Sequence, residues 1–304
     1  MKVLVTGADG FVGTWVVARL RELGHSVTEA TGDRQQAKGL SLDLRSAESV
    51  RAVVATDPDW VVHLAGVSSV SQSIGDPVGT WEVNALGTLR LIDAIAARRA
   101  EAGTDPVVLV TSSAEVYGPA KDTPRLETDP RAPITPYATS KAAAEVGSLD
   151  VAKRTGLRVI VTRPFPHIGP GQTTRFVVPG FIERIRLAHR MKAPVVNTGN
   201  LDPVRDFLDV RDVVEAYLAL LERGTPGEVY NVARGEGIRL EELFFRIADL
   251  IGSKVIPERD ASLARATDIP HLVGNRDKIH AATGWAPHYT LEQTLQSMLD
   301  AQAH

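Results

Sequence analysis

The run Gly7-Ala8-Asp9-Gly10-Phe11-Val12-Gly13 stands between an apolar, β-branched stretch, Val3 to Thr6, and an amphipathic one in which Val12, Val16 and Leu20 fall at i, i+4 and i+8 before Leu23 and Gly24. That order predicts a strand, a tight glycine turn and a helix that Gly24 stops. Glycines spaced GxxGxxG allow the turn and a close backbone approach. The free N–H groups and positive end of the helix behind them suit a pyrophosphate. A glycine-rich turn that binds nothing is the alternative, but strand, spacing and helix occur together here, and that context favours a dinucleotide site.

The same rhythm continues. Short apolar runs at Ser26 to Ala30, Leu40 to Leu42, Trp60 to Leu64, Val107 to Thr111 and Arg158 to Thr162 alternate with helical segments, which predicts βαβ units. Strands that are apolar throughout argue for a parallel sheet covered on both faces, a doubly wound α/β layer. A Pro/Gly-rich stretch, Pro164 to Gly171, breaks the pattern. After it come expected helices at Phe176 to Arg190, Val210 to Arg223, Leu240 to Ile251 and Leu291 to Ala301, with one strand at Glu228 to Val232. At roughly 150 residues per domain, 304 residues suit two units. The reading is a dinucleotide-binding domain over 1–165 and a smaller mixed α/β substrate domain over 166–304, with interleaving of the two left open.

Composition excludes several classes of function. With 34 basic and 37 acidic side chains the chain lacks the bulk basicity that draws a protein onto nucleic acid. It has no cysteine, so disulfides, thiolate metal sites and a cysteine nucleophile are excluded, and any redox work needs a borrowed cofactor. No run approaches the roughly 18 apolar residues of a membrane span. The start of the chain carries no basic leader or cleavage site, which reads as a cytoplasmic protein. The eight histidines form no HExxH-like pair, so no metal is expected.

The end of the second strand bears on the choice of dinucleotide. Thr31 falls where an NAD site usually offers a carboxylate to the ribose, and Arg34 stands close enough to meet a 2'-phosphate. This tips the reading toward NADP(H), while Asp33 keeps NAD(H) open. Asp43 can accept from an adenine amino group or serve as a helix N-cap. His63, leading into Leu64-Ala65-Gly66, reads as a packed histidine and not a catalyst.

Two further segments carry chemistry. Tyr137 and Lys141 lie at i and i+4 on a helix that begins after Pro136, so an ammonium can favour ionisation of a phenol whose ordinary pKa is near 10. Taken alone, YxxxK is more often a solvated helix face. Its partner is Thr111-Ser112-Ser113-Ala114-Glu115-Val116-Tyr117-Gly118, at the carboxyl end of the fifth strand, where doubly wound sheets bind ligands. Ser113 there can bond a substrate oxygen.

Glycine loop, Ser-Ser-Ala-Glu-Val-Tyr-Gly run and Tyr137-x-x-x-Lys141 together resemble the extended short-chain dehydrogenase/reductases, the NAD-dependent epimerase/dehydratase family. The resemblance covers essentially the whole chain and implies a Rossmann-like sheet. It also implies a catalytic set of Ser113, Tyr137 and Lys141, with Glu115 beside them, that polarises a sugar carbonyl or hydroxyl while hydride moves to or from a nicotinamide. The family's dehydratases carry Asp or Ser at the position of Ala114, and an alanine methyl cannot donate a proton, which leaves keto-sugar reduction or 4-epimerisation. Five later segments, including Arg163 to Gln172, Gly199 to Phe207 and Arg265 to Pro270, resemble the GDP-4-keto-6-deoxy-D-mannose reductases of that family.

That likeness implies that Leu44, Leu64, Ala65, Gly66, Pro164 and His167 line the cofactor and that Arg163, Pro166, Val177 and Asn231 line the substrate. It places Arg205 and Arg265 at the nucleotide diphosphate, a role that suits a planar cation. Pro166 departs from the family's asparagine and lacks its amide, which leaves the sugar's identity open; His167 can supply a replacement donor. Three functions follow for test: a reductase of a nucleotide-activated 4-keto-6-deoxyhexose, a UDP- or dTDP-hexose 4-epimerase with tightly held NAD, and a catalytically silent dinucleotide-binding protein. The resemblance also implies a homodimer through helices near Val78 to Ala102 and Pro136 to Arg154, whose faces carry Ala94, Ala97, Ala142 and Ala143.

Overall fold

The computed structural model describes residues 1–32, 39–119, 122–263 and 268–301. Strand β1 (Lys2–Thr6) turns through the glycines into α1 (Phe11–Glu22), followed by β2 (Ser26–Thr31), β3 (Leu40–Ser41), α2 (Ala47–Val54) and β4 (Trp60–His63). Short helices α3 (Val70–Gly75) and α4 (Pro77–Trp81), a π-helical turn at Glu82–Gly87 and α5 (Thr88–Ala102) lead to β5 (Val107–Thr111). A 3₁₀ turn at Ala114–Tyr117 precedes α6 (Pro136–Thr155) and β6 (Arg158–Pro164). Then come β7 (His167–Ile168), α7 (Val177–Met191), β8 (Val195–Thr198), β9 (Val204–Arg205), β10 (Leu208–Asp209), α8 (Val210–Arg223) and β11 (Val229–Val232). The chain closes with β12 (Ile238–Arg239), α9 (Leu240–Ile251), β13 (Ile256–Arg259), β14 (His271–Leu272), α10 (Asp277–Thr283) and α11 (Leu291–Ala301).

Seven parallel strands form the main sheet in the order β11-β6-β5-β4-β1-β2-β3. Its central strands β4 and β5 are buried at every position, as strands covered on both faces must be. One face packs Val16, Leu20, Val213, Tyr217 and Leu220 of α1 and α8 against Val3, Val5 and Val62. The other packs α2, α5 and α6 through Val50, Leu91, Ile95 and Val151 against Leu4, Val61 and Val108. Strand order reverses between β1 and β4, and that switch opens a crevice beyond the carboxyl ends of the strands.

The expected doubly wound sheet is therefore present, with two differences. The strand expected at Glu228 to Val232 does not stay with the later elements: it pairs with β6, Val229 opposite Val161 and Val232 opposite Pro164. Helix α8, just before it, packs on α1. The helix expected from Val78 to Ala102 is broken by the π-turn, in which the Asn84 side chain accepts from Val67 N (2.7 Å) and donates to Val67 O (3.0 Å) and Ser140 Oγ (3.1 Å). The remaining later elements build a separate core from Ile182, Ile185, Leu243, Phe244 and Ile247, with Phe181 and Phe244 edge to face at 5.4 Å.

Candidate active site

The crevice begins at the glycine turn. Gly7 has φ +69°, and a Cβ there would lie 2.8 Å from Ala65 N; at Gly13 it would lie 2.1 Å from Gly7 O. Only glycine lets β1, the loop after β4 and the start of α1 approach so closely. The first turn of α1 has no side-chain cap, as at α5, α7, α9 and α10. Phe11, Val12 and Gly13 therefore present main-chain N–H groups at a positive helix end beside the crevice. At the end of β2 the buried Thr31 hydroxyl has no hydrogen-bond partner among the described residues. A close cradle, an uncapped helix end and an orphaned hydroxyl where a ribose would stand fit a nicotinamide dinucleotide. Arg34 lies outside the described residues.

Three neighbouring groups are shaped by packing. Asp43 accepts from the main-chain N–H and the guanidinium of Arg45 at 2.9–3.1 Å, which lowers its pKa, and Ser46, not Asp43, caps α2. Leu44 is buried, and its carbonyl accepts from Arg90. His63 is buried between the Thr6 hydroxyl at 2.7 Å and the Thr88 hydroxyl at 2.9 Å; burial, with Lys141 nearby, pushes its pKa down to about 3. It is a neutral packed histidine that fixes the strand end. The loop behind it is held by Leu64 N to Thr6 O and Ala65 N to Thr6 Oγ1, and Gly66 leaves room for Asn84 and the Lys141 ammonium.

Helix α6 brings in the phenol. Pro136 opens it, Thr135 caps it by accepting from Ala138 N at 3.1 Å, and Tyr137 N donates to Ser73 Oγ at 3.1 Å. Across the crevice, Ser113 Oγ accepts from Glu115 N at 3.2 Å and shares a hydrogen bond with the Tyr137 phenol. Lys141, buried, donates to Thr111 O at 2.9 Å. The site thus gathers Ser113, Glu115, Tyr137 and Lys141.

The electrostatics differ from the expectation that Lys141 would lower the phenol's pKa. Burial first, and the Glu115 carboxylate second, push Tyr137 up to about 12, against the smaller opposing effect of the Ser113 hydrogen bond. Burial lowers Lys141 to about 8. With its ammonium turned to the Thr111 carbonyl, the lysine does not offset the dehydration of the phenol.

Two of the expected substrate residues are committed elsewhere. The Arg163 guanidinium, buried, donates to both Glu145 carboxylate oxygens at 3.0 and 2.5 Å, to Tyr117 Oη at 2.9 Å and to Glu127 O at 3.0 Å. Asn231, also buried, accepts from the Tyr117 hydroxyl at 2.6 Å and donates to Arg125 O at 2.8 Å. A buried charge or amide must be paired, and here the pairing consumes both side chains.

Pro164 is half-buried opposite Val232, Pro166 O accepts from Leu208 N at 2.9 Å, and Val177 begins α7. The His167 ring lies parallel to that of Phe11, centroids 6.2 Å apart, and its Nδ1 bonds Phe165 O, leaving Nε2 as its remaining polar atom. Arg205 is ion-paired with Asp268, so an incoming phosphate would compete with that carboxylate. Arg265 lies outside the described residues. Asn84 and Ser73 were not anticipated, because a π-turn and a short helix leave no periodic signature in the sequence.

Comparison with known proteins agrees with this geometry. A profile of the NAD dependent epimerase/dehydratase family matches residues 3–233. The chain belongs to this family. Within the epimerase/dehydratase family it is 36% identical over 98% of its length to a GDP-6-deoxy-D-mannose reductase of Pseudomonas aeruginosa, covering 96% of that protein. Its fold matches that of RMD from Pseudomonas aeruginosa, solved with NADPH, with a TM-score of 0.86, 36% identity and coverage of 99% and 98%. It also matches the UDP-glucose 4-epimerase of Thermotoga maritima, solved with UDP-glucose, with a TM-score of 0.89, 27% identity and coverage of 100% and 99%.

Proposed function

We propose that this protein reduces the 4-keto group of a nucleotide-activated 6-deoxyhexose, converting a GDP-4-keto-6-deoxy-D-mannose type substrate to its GDP-D-rhamnose type alcohol with NADPH, with NADH as the alternative donor. The observation that carries this reading is likeness to a reductase of that sugar class along almost the whole chain, with Ser113, Tyr137 and Lys141 all retained.

NADPH, when bound, supplies the hydride that reduces C4. Gly7, Gly10 and Gly13 would admit its pyrophosphate to the main-chain N–H groups of Phe11, Val12 and Gly13. Ser113 would orient the carbonyl by donating to its oxygen. Tyr137 would give that oxygen its proton, completing the alcohol, and a phenol held up to about 12 starts the reaction protonated, as a donor must. The phenolate left behind would be stabilised by the Lys141 cation once its ammonium turns from the Thr111 carbonyl toward the phenol. Ala114 beside Glu115 offers no group to expel water. Arg205, and Arg265 from sequence, would meet the diphosphate. Mixing the protein with GDP-4-keto-6-deoxymannose and NADPH should lower absorbance at 340 nm; no loss with either nicotinamide would overturn the reading.

The Thermotoga likeness favours one other reading, a UDP- or dTDP-hexose 4-epimerase. That enzyme would retain NAD through purification and consume none, so nucleotide released on denaturing the purified protein separates the two.

A homodimer and a cytoplasmic location belong to the same proposal. Leu86 and Val146 expose about half their surface, 52% and 50%, on the π-turn and α6. Ala97 is exposed, whereas Ala94 and Ala142 pack inward. Light scattering of the wild type and of Val146→Glu tests the dimer, and cell fractionation tests the location.

A further inference from the structure

Helix α6 carries Tyr137, Lys141 and Glu145 at i, i+4 and i+8, on one face. The first two face the crevice chemistry. Glu145 does not reach it, yet it is fully buried and bonded to two guanidiniums, Arg163 through both carboxylate oxygens and Arg131 at 2.6 Å. Arg163 in turn lies with its guanidinium carbon 4.8 Å from the centroid of the Tyr117 ring and donates to the Tyr117 hydroxyl, which donates to Asn231. Tyr117 ends the 3₁₀ turn that begins just after Ser113, and Arg163 stands in β6 one residue before its end, where the chain enters Pro164-Phe165-Pro166. One guanidinium therefore ties together the turn after Ser113, the helix holding Tyr137 and the end of β6.

A buried ion pair is a poor device for stability alone, since apolar residues of similar volume often serve as well or better. What it supplies is a fixed distance between the elements it joins. We propose that Glu145 and Arg163 are positioning residues that set the spacing between the Ser113 and Tyr137 hydroxyls, the two groups that must reach one carbonyl oxygen together. This rests on the reading of Ser113 and Tyr137 given above. The pair touches neither substrate nor cofactor; it acts through Tyr117 on one side and along α6 on the other.

The test uses Glu145→Gln and the double variant Glu145→Met/Arg163→Met, which replaces the pair by apolar side chains and keeps a folded protein available if the single change leaves a buried charge. Reductase kcat should fall on the order of ten- to hundredfold, with the KM for substrate and NADPH affinity changed by less than about threefold, because misplacement by an ångström acts on the transition state. Rescue by restoring Glu145 and Arg163 together, but not Arg163→Lys, would follow from the bidentate geometry. Since the chain has five tyrosines, carbon-13 labelling at tyrosine Cζ gives an independent readout: the Tyr137 resonance and its titration should move in both variants. A folded double variant with kcat within twofold of wild type, or an unmoved Tyr137 signal beside a moved Tyr117 signal, would overturn the proposal. A wild-type protein without reductase activity would remove the functional reading instead, and the tyrosine signals would still decide the positioning role.

Discussion

Lys141 Nζ donates to the main-chain carbonyl of Thr111 at 2.9 Å, so helix α6 is latched to the last residue of β5, two residues before Ser113. The latch buries the ammonium and lowers its pKa to about 8, while the Tyr137 phenol rises to about 12. As pH rises, the lysine loses its charge about four units before the phenol loses its proton. Reductase kcat/KM, which reports the free enzyme, should therefore hold level up to about pH 8 and fall above it. Lys141→Arg, charged throughout, should show a lower plateau without that fall. A wild-type profile level to pH 10 would refute the assignment.

Gly13→Ala should damage the cofactor cradle. Its Cβ would lie 2.1 Å from Gly7 O and 2.8 Å from Ala8 Cα, backbone atoms that cannot swing aside. Overpacking of this kind costs roughly 1–3 kcal/mol of stability. Because the displaced atoms form the turn proposed to receive the pyrophosphate, NADPH affinity should fall at least tenfold, read by fluorescence titration alongside a lowered melting temperature. Wild-type affinity in the variant would show that the dinucleotide binds elsewhere.

The layers of the fold were legible because they depend on local pattern. Val3 to Thr6, Gly7 to Gly13 and the Val16–Leu20 stripe specify strand, turn and helix within some twenty residues, and β1, α1 and β2 follow that order. Strand β11 was read as a strand but not as a member of the main sheet, because pairing Val229 with Val161 spans nearly seventy residues and leaves no periodic trace. Of the gathered quartet, Tyr137 and Lys141 were legible from their i, i+4 spacing and Ser113 from its place after β5, whereas Glu115 entered only through the family resemblance. The commitments of Arg163 and Asn231 were not legible: which way a buried guanidinium turns depends on Glu145 and Tyr117, which only the folded chain brings beside it.

Arg205 offers a test of the substrate side. It is ion-paired with Asp268, with only 12% of its side chain exposed. Arg205→Met should raise the KM for the nucleotide-sugar roughly ten- to hundredfold, as loss of a charged hydrogen bond to phosphate does, and leave NADPH affinity unchanged. Equal losses for both ligands would mean that Arg205 supports the fold rather than the diphosphate.

Two buried groups should set opposing slopes in stability against pH. His63, ordinarily near 6.5, is held near 3, so below pH 6.5 the unfolded chain takes up a proton that the native one refuses, and stability falls as pH falls. Asp206, fully buried and accepting from the main-chain N–H groups of Arg234, Gly235 and Gly274, is pushed from 3.8 up to about 6, mainly by burial. Between those values the native chain holds the extra proton, so this contribution to stability falls as pH rises. From about pH 4 to 6 the two slopes cancel. Asp206→Asn, whatever it costs in absolute stability, should steepen the dependence toward higher stability at higher pH by about 1.4 kcal/mol per pH unit. His63→Gln should tilt it the other way by the same amount. Urea unfolding of the three proteins at intervals from pH 4.2 to 5.8 reads the slopes directly, and parallel lines for wild type and Asp206→Asn would show that the Asp206 carboxyl is ionised in the native state throughout.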